Sequence, residues 1–356
     1  MNGLLLSGTI TKSSSQIQEE INSLGGFIET GISVENSVIS IYCLREYLSS
    51  IFNTALDAIQ GVVFDPKEVS EYLADRTQSL RINKEKVGFL AQQKFREKLF
   101  SSNALYASTV TEQDIENVTL ENLQAFHAQY YLKGLTKIVI VGDLEETVIN
   151  QIIEATRLMS AENLADFDSN LVHTLGTLEQ KKEGAVQSAI RAGRILFNKN
   201  HPDFLDFLIL NTILGDYFGS RLMTNIREDK GYTYGIGSMV AELNGTGYFL
   251  IATEVGTDVK DATIKEIQIE IQRLHDELVP EDEIQLVKNY MLGQLLKSAD
   301  GPYAMTDLFL SAEVHGKSLD FYNEALNSIQ GITSARIQEL AKKYLQWDEF
   351  AIVSVG

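Results

Sequence analysis

Hydrophobic and polar positions alternate or recur along this chain with periods that predict its elements. Ser15-Gln-Ile-Gln-Glu-Glu-Ile-Asn-Ser-Leu-Gly25 has helical spacing, opens on serine and closes on a Gly-Gly stop. Val38-Ile-Ser-Ile-Tyr-Cys-Leu44 alternates in bulk and is rich in β-branched residues, which predicts a strand. Asp65-Pro66 opens a long helical stretch reaching about Phe100. A further helix near Leu120 to Tyr131 leads into a predicted strand at Lys137-Ile-Val-Ile-Val141. From Ser160 to Gly184 the chain is polar, mixed in charge and poor in periodicity, the pattern of an interdomain linker.

The same pattern occurs twice. Val118, Thr119, Leu123, Gln124, Tyr130 and the run Ile138 to Gly142 match Ile332, Thr333, Ile337, Gln338, Tyr344 and Ile352 to Gly356 at a constant offset of 214, which Pro66 and Pro280 also obey. Nearer the front, Ser15, Ile21, Gly26 and Phe27 match Ser220, Ile226, Gly231 and Tyr232 at an offset of 205. Two matches separated by one length change imply a tandem duplication. Each copy runs helix, strand, helices, helix, strand. That order suits an α+β, sandwich-like domain with a mixed or antiparallel sheet and helices on one face. The expected organisation is residues 1–160 as the first domain, 161–184 as linker and 185–356 as the second domain.

Composition narrows the function classes. The 356 residues carry a net charge of −19, leaving no basic surplus to release phosphate counterions or to hold an anionic membrane surface. A hydrophobic content of 44% and only four prolines predict a folded chain. Cys43 is the single cysteine, so an intrachain disulfide and a cysteine-based zinc knuckle are excluded, and it reads as a buried apolar thiol. No run has the apolar length of a transmembrane helix, and MNGLLLSGTITKSSS lacks the basic start and apolar length of a signal peptide. Taken at face value the location is cytoplasmic.

The five histidines, His127, His173, His201, His275 and His315, form no i, i+4 pair, so one helix cannot present two imidazoles to a metal. There is no phosphate loop, Gly235-Ile-Gly237 lacks the setting of a dinucleotide fingerprint, and neither Ser7 nor Ser220 stands in a nucleophile elbow. Acidic pairs such as Glu19-Glu20 and Glu145-Glu146 read as solvated helix faces. One segment remains: Gly219-Ser-Arg-Leu-Met-Thr-Asn-Ile-Arg227-Glu-Asp-Lys-Gly231-Tyr-Thr-Tyr234-Gly-Ile-Gly237. A helix running to about Lys230 stops at Gly231 and gives way to a strand. Alternation puts Tyr232 and Tyr234 on one face, which Arg227 at the helix end could share. A guanidinium beside a phenol can polarise a carbonyl oxygen that becomes an oxyanion. It can equally be a cation–π or hydrogen-bonded pair joining helix to sheet. The first copy has Asn22 and Glu29 at the matching places, so the fold itself does not require the pair.

Arg-x-x-x-Gly-x-x-Tyr after Gly-Ser-Arg-Leu resembles the second-domain signature of the pitrilysin/insulinase family, the inverzincin zinc peptidases. Ser-Gly-Thr at 7–9, the helix end Ile21-Asn-Ser-Leu-Gly-Gly26, Phe64-Asp-Pro-Lys-Glu68, Val118 to Gly142 and the duplication fit the same family. The resemblance implies a zinc site, H-x-x-E-H with a downstream glutamate, in the first domain. It assigns Arg227 and Tyr234 as catalytic and Gly231 and Tyr232 as substrate-binding in the second. Counting from Gly8-Thr9 puts the motif's glutamate and second histidine at Asn2 and Gly3, and the first histidine before Met1. The third ligand falls near Ser79, with no glutamate between Glu71 and Glu85. No metal or other cofactor is therefore expected in this chain, and its first domain reads as lacking an opening strand or two. The implied role is the zinc-less subunit of a heteromeric metalloendopeptidase whose homologous partner supplies zinc, with self-association as the other form of assembly. The alternative is an inactive scaffold or peptide-binding protein of the same fold.

Overall fold

The computed structural model describes residues 1–101, 103–161, 171 and 174–356. Its helices and strands run in this order: α1 (Ser14–Ser23), β1 (Phe27–Ile32), β2 (Ser37–Tyr42), α2 (Leu48–Gln60), α3 (Pro66–Lys84), α4 (Val87–Leu99), α5 (Ala104–Ala107), α6 (Glu112–Glu116), α7 (Leu120–Tyr130) and α8 (Glu146–Thr156). There follow β3 (Gly176–Gln180), β4 (Gln187–Leu196), α9 (Phe204–Asn211), β5 (Thr233–Glu242) and β6 (Gly247–Gly256). Last come α10 (Lys260–Asp276), α11 (Glu281–Ser298), α12 (Pro302–Glu313), α13 (Asp320–Gly331), α14 (Ser334–Tyr344) and β7 (Ala351–Val355). No described helix is long and apolar enough to cross a membrane.

Two compact units result, residues 1–82 with 110–166, and residues 83–109 with 167–356. The single helical stretch expected from Asp65 to Phe100 is broken at Glu85–Lys86, where the Lys86 amide turns back to Asn83 O at 2.9 Å. Beyond the break α4 packs with the second unit, so the boundary expected near residue 160 does not describe this exchange.

In the first unit, the Ser13 hydroxyl and the Gln16 side chain form a reciprocal capping box that starts α1. Ile17 and Ile21 of α1 bury against Ile51 and Ala58 of α2, one helical face against another. β1 and β2 make an antiparallel hairpin in which Ile32 faces Ser37. Cys43 is only half-buried beside this cluster, not the fully buried thiol expected, and burial pushes its thiol pKa up.

The second unit is a five-stranded sheet of order β3-β7-β4-β6-β5. β4 runs antiparallel to β6 and to β7, and β3 runs parallel to β7. Successive residues feed opposite faces: Phe249, Ile251 and Ile352 join the core built with α9, α10 and α14, while Leu250, Val353 and Val355 meet Ala91, Phe95 and Leu99 of α4. Helices thus cover both faces, α9, α10 and α14 on one and α4 with Tyr106 of α5 on the other, where helices on a single face were expected. All five residues of β7 are buried, which a strand covered on both faces requires. The interval expected to be a linker, 161–184, contains β3. This edge strand buries none of its five residues, so it carries no amphipathic signal. Residues 162–170 and 172–173 of that interval, with His173, lie outside the described residues.

The duplication is visible in local detail. Thr119 and Thr333 each accept the amide three residues on and start α7 and α14. The two hairpins turn through matching four-residue loops, closed by Ser33 N to Asn36 O at 2.8 Å and Leu243 N to Thr246 O at 2.9 Å. The expected strand at Lys137–Val141, the counterpart of β7, does not form. A strand is defined by its neighbour, and the first unit has no described counterpart of β4 to supply ladder hydrogen bonds.

A buried ionic knot fixes α9 to α14. Asp203 accepts from Arg336 Nη2 at 2.6 Å, from Lys343 Nζ at 2.9 Å and from the Tyr344 hydroxyl, while Asp206 accepts from Arg336 Nε at 2.9 Å. Burial pushes the Asp203 carboxyl up, but hydrogen bonds from Tyr344, Lys343 and Arg336 outweigh it and hold it well below the usual carboxylate range. A carboxyl with a depressed folded-state pKa adds stability above its unfolded value, about 3.9, and loses it as pH falls towards the folded one. Asp203→Asn should therefore cost about 2–3 kcal/mol at neutral pH, and the gap to wild type should narrow below about pH 4. Urea midpoints measured across pH check this; a gap constant with pH would refute it.

Candidate functional site

The segment singled out in the sequence lies wholly in the second unit, where a short helix leads into β5. Leu222, Met223 and Ile226 bury into the core, so the helix is anchored along one side. Its polar side is tied down as well. Asn225 donates to Glu266 Oε2 at 3.1 Å and Glu270 Oε1 at 2.7 Å of α10, and Arg221 forks onto Glu283 of α11 at 2.8 and 2.9 Å.

From Met223 to Asp229 the helix is a π-helix, wider than the α-helix expected. The first copy shows why. There Ile21 O receives the amide of Gly26 at 3.1 Å, across a Gly25 with φ of +70°. In the second copy Ile226 O receives the amide of Tyr232 at 3.0 Å, across a Gly231 with φ of +67°. The second turn holds one more residue, and a π-turn is how a helix absorbs a single insertion. Gly231 therefore corresponds to Gly25, not Gly26, and Tyr234 to Ile28, not Glu29. Arg227 is the first residue of the enlarged turn. Its guanidinium carbon lies 4.6 Å from the centroid of the Phe218 ring, a cation–π contact, and its ion pair with Glu228 is long at 3.8 Å. The side chain is 34% exposed and makes no hydrogen bond among the described residues.

After Gly231 the two tyrosines part company. Tyr232 packs against the core, whereas Tyr234 is 95% exposed, so the single tyrosine face expected from alternation does not form. The reason is an irregularity in β5, whose register with β6 shifts between Thr233 and Ile236. Two threonines pin it. Thr233 Oγ1 donates to Glu254 O at 2.7 Å, and buried Thr253 Oγ1 donates to Gly235 O at 2.9 Å. No hydrogen bond joins Arg227 to Tyr234 among the described residues. The site offers a guanidinium with uncommitted donors and a solvated phenol flanking the start of one strand, suited to gripping carbonyl oxygens of an extended chain.

Phe218 and Thr253 were not legible as parts of this site. Phe218 stands nine residues before Arg227, a spacing without helical meaning, and Thr253 looks like any strand threonine. The described histidines have structural partners. His127 is buried with Nε2 2.7 Å from Ile59 O, as suits a packing residue. His201 stacks on Phe197, His275 Nε2 lies 3.0 Å from Ala341 O, and His315 Nε2 lies 3.2 Å from Glu242 Oε2. Among the described residues no three His, Cys, Asp or Glu side chains gather as a metal-ion group.

Residues 117–291 match the family described as the peptidase M16 inactive domain. The chain is 22% identical over 361 residues to the uncharacterized zinc protease YmxG of Bacillus subtilis, covering 99% of this chain and 86% of that one. It is also 22% identical over 338 residues to the non-peptidase homolog YmxG of Helicobacter pylori, covering 90% and 76%. Among solved structures, a peptidase M16 inactive domain from Pseudomonas fluorescens superposes with a TM-score of 0.90 at 22% identity, covering 100% of this chain and 87% of that one. A protease from Helicobacter pylori gives 0.88 at 16%, covering 99% and 87%. These two likenesses establish the fold.

Gly231 needs the left-handed region, and a Cβ built there meets nothing within 4 Å, so the cost of substitution is conformational alone. Gly231→Ala should destabilise the chain by about 1–2 kcal/mol and Gly231→Asn by less, read from equilibrium urea unfolding. Equal and negligible losses would contradict the turn geometry.

Proposed function

We propose that this chain is the zinc-less subunit of a two-chain metallopeptidase and that it contributes Arg227 and Tyr234 to peptide hydrolysis. Zinc and the water it activates come with a homologous partner subunit bearing H-x-x-E-H. Tyr234 donates to the scissile carbonyl oxygen as it becomes an oxyanion, and Arg227 holds that oxygen or the neighbouring peptide carbonyl. Gly231 sets the turn that separates the two groups. Tyr232, packed on the core, anchors the start of the strand.

One observation carries this reading. The enlarged turn bearing Arg227 and the strand irregularity that turns Tyr234 outward occur only in the second copy, so neither is required to build the fold. Removing one oxyanion donor costs about 10²–10³ in turnover. In the complex with its partner, Tyr234→Phe should lose about that factor while assembly, followed by size-exclusion chromatography, persists. Full peptidase activity of the mutant complex would refute the assignment. The isolated chain should contain no stoichiometric zinc by elemental analysis.

The second reading, a scaffold or peptide binder without catalysis, is favoured by the lack of any bond between Arg227 and Tyr234. It also agrees with relatives named non-peptidase homolog and probable inactive metalloprotease. It predicts that the chain binds peptide and that no stoichiometric partner carries H-x-x-E-H.

A further inference from the structure

Where α10 and α14 end side by side, the second unit holds an open cavity of about 250 Å³. α10 lines it with Gln268, Gln272 and His275, at the i, i+4, i+7 spacing of one helical stripe, and the link from α14 to β7 adds Gln346, Trp347 and Asp348. A stripe turned towards neighbouring elements is ordinarily apolar, and this one is polar. The volume lies just below the range of drug-sized pockets, about 300–1,000 Å³, and suits a fragment the size of one long side chain.

Hydrogen bonds inside the chain use up most of what these residues can donate. His275 Nε2 lies 3.0 Å from Ala341 O, which can only accept, so the imidazole donates there and a neutral ring keeps its lone pair on Nδ1. Gln272 Nε2 donates to both carboxylate oxygens of Asp276 at 3.0 Å, and Gln346 Nε2 donates to Lys342 O, leaving each amide its carbonyl oxygen. Asp348 is exposed and makes no ion pair or side-chain hydrogen bond among the described residues. The bond from His275 to Ala341 also brings the last turns of α10 and α14 together, where the negative ends of both helix dipoles favour a cation. The neighbouring cations do not meet that demand: Arg273 pairs with Glu270 and Glu277, Lys343 pairs with Asp203, and Lys342 is exposed and outside the lining. Trp347, half-buried against the core with its ring centroid 5.5 Å from that of Phe350, supplies an aromatic wall.

We propose that this cavity binds a guanidinium group, carried by a free small molecule or by an arginine side chain of another polypeptide. A guanidinium is the cation that matches the lining: its plane stacks on Trp347, its fork meets the Asp348 carboxylate, and its remaining N–H groups donate to Gln272, Gln346 and His275 Nδ1. An ammonium has neither the plane nor the fork. Neither Arg227 nor Tyr234 takes part, so the site is tested independently of peptide hydrolysis.

Trp347 is the chain's single tryptophan, so its fluorescence reports on this cavity alone. The test titrates the full chain with agmatine, with the analogue that carries a urea in place of the guanidinium, and with the blocked tripeptide acetyl-Gly-Arg-Gly-amide, reading Trp347 emission and calorimetric heat in parallel. Agmatine should bind saturably with half-saturation at or below about 1 mM, and the urea analogue at least tenfold more weakly. Tripeptide binding as tight as that of agmatine assigns the site to an arginine side chain; binding of agmatine alone assigns it to a free molecule. Asp348→Asn should raise the half-saturation about tenfold and Gln272→Met about threefold, with urea unfolding midpoints unchanged because both side chains are exposed. No saturable response in either readout up to about 10 mM, equal binding of the urea analogue, or affinity indifferent to Asp348→Asn would each overturn the proposal.

Discussion

β4 is hydrogen-bonded along both edges and covered on both faces, and the rest of the second unit is placed by reference to it. Its edges fix the register of β6 and β7; its two faces set the layers of helices, α9, α10 and α14 on one side and α4 on the other. A strand so enclosed satisfies its backbone groups in the ladder, and six of its ten residues are buried. Where that constraint is met, the neighbouring strands β6 and β7 pair in unbroken register. In the first unit no described strand meets it, and a segment with nearly the same sequence as β7 stays outside any sheet.

The candidate site depends on the same frame in a different way. Arg227 and Tyr234 stand where the two copies differ by small departures from regularity: one residue more in a helical turn and one shift in strand register. Each departure is held by a side chain bonded to a neighbouring element or strand residue, Asn225 to Glu270 of α10 in one case and Thr253 of β6 to Gly235 O in the other. Rigid support beneath irregular backbone is how a site keeps its geometry without being part of the core.

Much of this was legible in the sequence. Capping residues and Pro66 and Pro280 mark element starts by local chemistry alone, so the duplication and the helices α1, α7 and α14 could be read directly. What could not be read depends on neighbours. Lys137–Val141 has the composition of a strand but lacks the partner that would make it one, and β3 is a strand with no amphipathic pattern because it lies at an edge. The arginine–glycine–tyrosine spacing pointed to the site, whereas the extra residue in the turn required the two copies to be compared by their hydrogen bonds. Strict alternation failed at Tyr232 and Tyr234 because a register shift leaves no mark in residue types.

The excursion of α4 has a consequence for how the chain comes into being. Phe95 and Leu99 are synthesised some 250 residues before β7, whose Val353 and Val355 they cover. During translation that apolar helix face must wait without its sheet while the residues between α4 and β7 emerge. The second unit cannot close until the last five-residue strand is released, which makes its folding a late event dominated by long-range contacts. A chain lacking Ala351–Val355 would lose the strand that β4, β3 and α4 share, and with it the layer that α4 completes.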